Sequence, residues 1–426
     1  MRLRVKDFTT KVGSGVTPRG GAETYLEQGI PLFRSQNVYD NGFLMDDIAY
    51  ISEEVDESMS GTRVKPGDVL LNITGASIGR CFYTSDSFER GNVNQHVCII
   101  RPKRNITSPS FLHYCIISNE GQEQINLSQT GANREGLSVE DIKGFSFDIP
   151  SLSVQQKMVD YLDEKTSAID TQVELLEKKK DAYTRLKKAM INRAVTRGLD
   201  EHVKLKDSGV EWIGMIPEHW ERFRLKDLGY MYSGLTGKSG DDFRCDDETK
   251  TKHYVPFTNV LNNTVVDNDN FHYVVLEENE QQNQVKAGDL LFLMSSEDYE
   301  SIAKSAVVLG DPGEVYLNSF CRGLRITNHN CYAPFLNYQL NSEMYRDALR
   351  FEARGFTRIN IKIDRVASHF VSLPPFSEQQ TIADYLDEKC AKIDAAIANI
   401  DKQTDALKRL KRSLINEVIS GKRMIE

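Results

Sequence analysis

The stretch SVQQKMVDYLDEKTSAID, beginning at Ser153, returns as SEQQTIADYLDEKCAKID, beginning at Ser377. The offset, 377 − 153 = 224, holds without a gap from Ser153/Ser377 through Asn192/Asn416. A repeat of this length at one fixed offset divides the chain into two similar halves.

Apolar residues recur in both copies at three- and four-residue steps, the spacing of a coiled-coil seam. The seam positions are Leu162, Ile169, Val173, Leu176 and Leu186, matched 224 residues later by Leu386, Ile393, Ile397, Ile400 and Leu410. Each run extends about 41 residues, roughly 60 Å of α-helix, before Gly198 or Gly421 ends it. Ser153 and Ser377 are each followed three residues later by Gln156 and Gln380, which predicts a capping box at both helix starts. The first helix is acidic early (Asp160, Asp163, Glu164, Asp170) and basic late (Lys178, Lys179, Lys187, Lys188), and the second repeats the trend more weakly. Antiparallel pairing of the two helices sets acidic halves against basic ones.

Around these helices the 426 residues divide naturally. The predicted parts are a globular domain over 1–150, a central long helix over 151–198 and an ordered connector over 199–220. A second globular domain over 221–375 and a C-terminal long helix over 376–422 follow. The fold class expected is α+β: two pseudo-symmetric, strand-rich domains of mixed α/β character, each followed by a long helix, the helices paired antiparallel. In the first domain Ile30 to Phe33, Val69 to Ile73 and Val97 to Ile100 read as strands, FLHYCIIS from Phe111 as a short helix, and TGANREGLS from Thr130 as an exposed loop. The second domain repeats the order with other residues. KAGDLLFLMSS from Lys286 matches KPGDVLLNITG from Lys65, YLNSFCRGLRI from Tyr316 matches NVNQHVCIIRP from Asn92, and Arg358 stands opposite Arg134. Strands hold a fold and loops carry recognition, so a recurring framework with divergent loops suits two related readers of different ligands. The connector carries both tryptophans, Trp212 and Trp220, and is expected to pack them.

The formal net charge of −9 argues against a histone-like polyanion binder, but not against a reader whose basic residues gather on one face. Seven scattered cysteines, none in a CxxC pair, read as reduced thiols. No apolar run approaches the length of a membrane span, and a cytoplasmic location is expected.

Two divergent domains, each followed by a near-identical helix marked DYLDEK, with KDSGVEWIGMIPEHW from Lys206 between the halves, resemble the specificity subunits of type I restriction-modification systems. The resemblance covers essentially the whole chain. It implies that each domain is a target-recognition domain reading one half of a bipartite sequence in double-stranded DNA. It further implies that the paired helices set the spacing and dock two modification (methyltransferase) subunits, through which restriction (endonuclease) subunits join. On this reading the chain binds no cofactor and no membrane. S-adenosylmethionine belongs to the modification subunit, and ATP and Mg to the restriction subunit. One departure is that this sequence opens on MRLRVKDF, whereas the KDSGVEWIG motif often also opens such chains: either this subfamily lacks the N-terminal copy or the chain has been trimmed.

Catalytic motifs fail on inspection. Leu373-Pro374-Pro375-Phe376 has leucine where a methyltransferase loop needs a polar residue, and reads as strand-to-helix punctuation. Gly237-Lys238-Ser239 ends like a P-loop, but Tyr232 stands where its first glycine belongs. Asp163-Glu164-Lys165 and Asp387-Glu388-Lys389 have a nuclease-like D-x-K spacing with no second acidic group to complete a metal site, so a structural or docking role is expected. No metal site is expected, and His113 reads as a packing residue.

Base readout needs side chains that donate and accept in fixed pairs. The first domain offers Thr17, Arg19, Arg34, Ser35, Gln36, Asn37, Thr74, Ser77, Arg80, Asn94, Gln95, His96, Asn133 and Arg134. The second offers Lys238, Ser239, Thr258, Asn259, Ser295, Ser296, Asn318, Ser319, Thr357 and Arg358. Arg134 and Arg358, matched in both halves, suit a shared phosphate contact. The alternative function class is a non-catalytic coiled-coil scaffold with globular ends that bind proteins or glycans.

Overall fold

A computed structural model of the chain describes residues 1–129, 136–243, 251–277 and 279–425. The chain forms two compact units, one of Met1–Glu177 with Asp401–Glu426 and the other of Lys178–Ile400, so that each long helix is shared between them.

In the first unit an antiparallel sheet runs in the order Thr9–Ser14, Val97–Pro102, Val69–Asn72, Cys81–Tyr83. A second sheet runs Ala49–Ile51, Ile30–Phe33, Gly91–Val93, Arg63–Val64, with Gly91–Val93 parallel to Ile30–Phe33. The central strands are buried on both faces, Val69 through Leu71 at 0 % exposure, which is why they read as unbroken apolar runs. The helix Pro109–Ile117, capped by Ser108, packs its Phe111 and Leu112 into the same core as Leu162, Leu414 and Val418 of the long helices.

The second unit repeats this plan. One sheet runs Gly229–Ser233, Cys321–Ile326, Leu290–Leu293, Ser305–Val307, and the other His272–Val275, Thr251–Val255, Val315–Leu317, with the last two parallel. The connector is ordered: Leu205–Asp207 pairs with Met215–Pro217. Trp220 is fully buried, and Trp212 stacks on His369 at 4.7 Å between ring centroids.

The long helices span Leu152–Arg197 and Phe376–Ile419. Gly198 and Gly421 end them at φ +74 and +71, a left-handed conformation that glycine adopts without strain. Their pairing is antiparallel and nearly symmetric. In the first unit Lys411 Nζ meets Asp170 at 2.6 Å, and in the second Lys187 Nζ meets Asp394 at 2.6 Å. These are the same two positions of the repeat.

Two expectations need correction. Leu186 and Leu410 are each 54 % exposed and lie outside the seam. Carrying the three-four alternation on from Leu176 leads through Lys180 and Tyr183 to Lys187, and Lys187 and Lys411 are half-buried there. A lysine stem fills the apolar seam while its ammonium reaches the partner helix's aspartate. The capping boxes are absent as well. Gln155 N donates to Ser151 O at 2.9 Å and Gln379 N to Pro375 O at 3.1 Å, so the helices start ahead of Ser153 and Ser377. Gln156 instead turns to Asp160 at 2.7 Å.

The neighbouring glutamines fix each helix to its domain. Gln155 is fully buried. It accepts from Ser108 N at 2.9 Å and Thr107 Oγ1 at 3.2 Å, and donates to Ile106 O and Pro150 O at 2.8 and 2.9 Å. Gln379, equally buried, accepts from Tyr332 N and donates to Asn330 O and Pro374 O, all at 2.8 Å. Asp163 of the first DYLDEK accepts from Tyr114 Oη at 2.6 Å, and Asp387 of the second from Tyr338 Oη at 2.5 Å. These carboxylates, which have nuclease-like spacing in the sequence, therefore hold the domain on its helix.

All six described cysteines are buried free thiols: Cys81, Cys98 and Cys115 in the first unit, and Cys321, Cys331 and Cys390 in the second. Burial pushes the Cys98 thiol up to about 12. His113 is buried beside Cys81 Sγ at 3.5 Å, and desolvation lowers its pKa to about 3, as befits a packing residue.

Candidate nucleic-acid interface

Recognition loops need a rigid base, and in both domains the same devices supply it. The aspartate of each Lys-x-Gly-Asp turn closes that turn, Asp68 accepting from Lys65 N at 2.7 Å and Asp289 from Lys286 N at 2.9 Å. Each also takes a two-pronged contact from a neighbouring strand. Arg101 reaches Asp68 at 2.7 and 2.8 Å, and Arg325 reaches Asp289 at 3.0 and 2.7 Å. Such bidentate pairs fix geometry as well as charge.

Asn37 and Asn259, both fully buried, serve their own loops. Asn37 Nδ2 donates to Leu44 O and Asp47 O, and Asn259 Nδ2 to Asp267 O and Asn270 O. Both were candidate base readers, and their donor capacity is taken up internally. Gly15 and Gly234 open the loops that follow Thr9–Ser14 and Gly229–Ser233. A Cβ at Gly15 would stand 2.0 Å from Val93 O, and one at Gly234 2.1 Å from Asn318 O, so only glycine fits this approach.

On that base the first domain gathers four candidates from three loops into one chain of hydrogen bonds. The Thr17 hydroxyl meets the Gln95 side-chain carbonyl. Gln95 Nε2 lies 3.0 Å from His96 Nε2, and His96 Nδ1 lies 2.6 Å from Thr74 Oγ1. Thr17 and Gln95 are exposed, while His96 and Thr74 are half-buried. Arg19 is exposed in the same loop as Thr17, and Ser77 is half-buried. Asn94 Oδ1 accepts from His96 N at 3.1 Å and so shapes the turn. Arg80 lies over the Tyr39 ring at 5.0 Å and Arg34 over Tyr25 at 5.6 Å. Ser35 contributes its carbonyl to Asn72 Nδ2 at 2.7 Å, and Gln36 binds Asp47. Asn133 and Arg134 lie outside the described residues.

In the second domain the matching loops line an open cavity of about 280 Å³. Thr258, Ser295, Ser296, Asn318 and Arg358, all candidates, line it together with Phe320, which sequence reasoning missed. Ser295 is 7 % exposed, and its hydroxyl has no hydrogen-bond partner. The Arg358 guanidinium lies 4.3 Å over the Phe320 ring, which orients it without using its hydrogen-bonding edge. Asn318 Oδ1 accepts from Phe320 N at 2.9 Å, the turn that Asn94 makes in the first domain. Ser319 binds Arg322 through its carbonyl, and Thr357 is exposed beside Arg358. Lys238, its side chain 7 % exposed, pairs with Glu280, and Ser239 N donates to Asp242 at 2.6 Å. The signal that could have found Phe320 was available: it stands opposite His96 in the matched stretches, and a large aromatic in a recognition loop is suited to contact bases.

Among the described residues no three histidine, cysteine or acidic side chains gather as a metal site would require, and no helix is long and apolar enough to cross a membrane.

Two matching frameworks that carry different chemistry at equivalent loops, each followed in the chain by a long helix, define a class of duplicated recognition proteins. The chain belongs to the type I restriction-modification DNA specificity family, whose domain model matches residues 3–182 and 217–408. It is a specificity subunit with two target-recognition domains. Among its relatives is the type I restriction enzyme MjaVIII specificity subunit of Methanocaldococcus jannaschii, 23 % identical over 423 residues that cover 99 % of this chain and 92 % of that one. The fold is shared with a chain solved to explain complex assembly and conformational transition of the type I R-M system, at a TM-score of 0.73 and 14 % identity over 98 % of this chain and 97 % of that one. It is also shared with the HsdS subunit from Thermoanaerobacter tengcongensis, at a TM-score of 0.55 and 14 % identity over 99 % and 97 %.

Proposed function

We propose that this chain gives a type I restriction-modification complex its DNA address and carries out no chemistry itself. The first domain reads one half of a split sequence through Thr17, Thr74, Gln95 and His96. The second reads the other half through the loops bearing Thr258, Ser295, Ser296, Asn318 and Arg358. The single observation that carries this reading is the contrast at equivalent loops: one supporting framework presents a closed polar chain in one domain and a partly apolar cavity in the other. A scaffold binding one kind of partner twice has no need of that contrast.

The paired helices hold the two readers at a set spacing and dock two modification subunits, which bring in the restriction subunits. Half-sites on one side of B-DNA lie about one helical turn, roughly 34 Å, apart. S-adenosylmethionine, ATP and Mg are bound by those partners, and the chain works in the cytoplasm.

Methylation mapping of the host genome with this gene present and deleted tests the proposal. A split motif with a fixed unspecified spacer should lose its methylation on deletion. Unchanged methylation while the modification partner is expressed would favour the scaffold reading. Methyl transfer by the isolated chain would overturn the non-catalytic assignment.

A further inference from the structure

We infer that the cavity of the second domain reads the major-groove edge of an A·T pair, seating the thymine methyl against Phe320 and the thymine O4 on the Ser295 hydroxyl. The inference rests on the reading of this chain as a DNA specificity subunit and names the chemistry of one of its two sites.

Three features meet in one place. The first is shape and apolarity: the cavity of about 280 Å³ is lined by Pro256, Phe257 and Phe320, and Phe320 is 43 % exposed although a phenylalanine gains by being covered. The second is an unfilled polar group. Ser295 lines the same cavity, and its buried hydroxyl has no hydrogen-bond partner, an arrangement that is unfavourable until something supplies one. The third is charge: Glu297 also lines the cavity, and a carboxylate there repels phosphate while it can accept from an amino group.

Of the four base-pair edges in the major groove, only thymine sets a methyl group beside an acceptor oxygen, and its adenine adds an amino donor next to them. An apolar wall, a hydroxyl donor and a carboxylate acceptor match that order. Arg358, which lines the cavity and lies over the Phe320 ring, is left to anchor the backbone. At the equivalent place in the first domain His96 replaces Phe320 and is joined to Thr74 and Gln95, so the two half-sites are read by different chemistry.

The test uses the complex of the full chain with its modification subunit and duplexes carrying the mapped target. Each thymine is replaced in turn by deoxyuridine, which removes only the methyl group, or its pair by 5-methyldeoxycytidine with guanine, which keeps the methyl and removes the carbonyl acceptor. One deoxyuridine in one half-site should weaken binding about fourfold, the transfer value of a single methyl group. That sensitivity should vanish in Phe320→Ala and persist in Phe320→Leu, and Ser295→Ala should narrow the preference for thymine over 5-methylcytosine at the same position. If every deoxyuridine duplex binds within 1.5-fold of the parent while the mapped sequence is still preferred over a scrambled one, the cavity assignment falls and the specificity reading stands. It falls too if the sensitivity survives Phe320→Ala. A complex with no preference for the mapped sequence would remove both. The scan on the unmutated chain decides the matter even if a variant fails to fold.

Discussion

The two domains differ least where their side chains face inward and most in the loops that face outward. Asp68–Arg101 and Asp289–Arg325 are the same pair, as are Gln155 and Gln379 at the helix starts and Tyr114–Asp163 and Tyr338–Asp387 on the helices. Asp68, Asp289, Gln155 and Gln379 are hidden from water, and such a group has few substitutes because its partner would be left unsatisfied. The loops have no such obligation, so Phe320 can replace His96. One inward difference is telling. In the second domain Tyr232 lies across from Gly323 and donates to Asp289 at 2.7 Å. The matching positions in the first are Gly13 and Ile99. Bulk has moved from one strand to the other, so the two sheets cannot exchange residues freely.

That comparison can be broken first at the buried aspartates. Asp68→Ala and Asp289→Ala should each destabilise the chain by about 3 kcal/mol, toward the lower end of buried-pair losses because both arginines are partly exposed. Asp289→Ala should be worse by about 1 kcal/mol, since it also orphans the Tyr232 hydroxyl. The midpoint of urea unfolding measures both. Next come the glycines. A Cβ at Gly323 would stand 2.0 Å from the Tyr232 ring, whereas one at Gly13 meets nothing within 4 Å. Gly323→Ala should therefore cost about 1–3 kcal/mol and Gly13→Ala next to nothing. Equal effects would mean that the two sheets are packed alike.

Acid sharpens the comparison further. Burial lowers the pKa of His113 to about 3 and that of His369 to about 4, against 6.5 for the free side chain. The unfolded chain binds these protons first as pH falls, so the stability they permit is complete above pH 6.5 and is lost below it. At pH 5 the loss should be about 2 kcal/mol for each. The opposite domain has Asn337 and Phe145 at these places. His113→Asn and His369→Phe should each flatten the stability profile between pH 7 and 5, and an unchanged slope would show that the histidine is protonated in the folded state. The smallest effects belong to the helix surface. Tyr114→Phe and Tyr338→Phe should each cost about 1 kcal/mol in thermal unfolding, and Lys187→Met or Lys411→Met, which keep the apolar stem in the seam, a few tenths, because those ion pairs are half in water.

The repeat at offset 224 made the helices, their antiparallel pairing and the twofold plan legible, because one periodic stripe that must be covered implies a second. What it hid lies at longer range. Leu186 and Leu410 are apolar, but register, not polarity, selects the seam, and a lysine stem serves there. The Ser-x-x-Gln pattern points to Gln156 and Gln380, whereas Gln155 and Gln379 fix the helices, through partners such as Thr107 and Tyr332 that lie nearly fifty residues away. At the interface the loops were legible but individual roles were not. Lys238 and Asn259 look like DNA contacts until Glu280 and the Asp267 carbonyl are seen to occupy them. Phe320 is hidden from a search for hydrogen-bonding readers because its ring offers only an apolar surface.

The hidden thiols give the molecule a built-in clock. Among the described residues each unit conceals three, and burial raises the thiol pKa at Cys98, Cys321 and Cys331 to about 12, so a thiol-reactive reagent can label them only when the surrounding core opens. With Cys245 replaced by serine, the order in which Cys81, Cys98 and Cys115 are labelled against Cys321, Cys331 and Cys390 would time the opening of each recognition unit separately. The same labelling with DNA bound would reveal which unit the target holds shut.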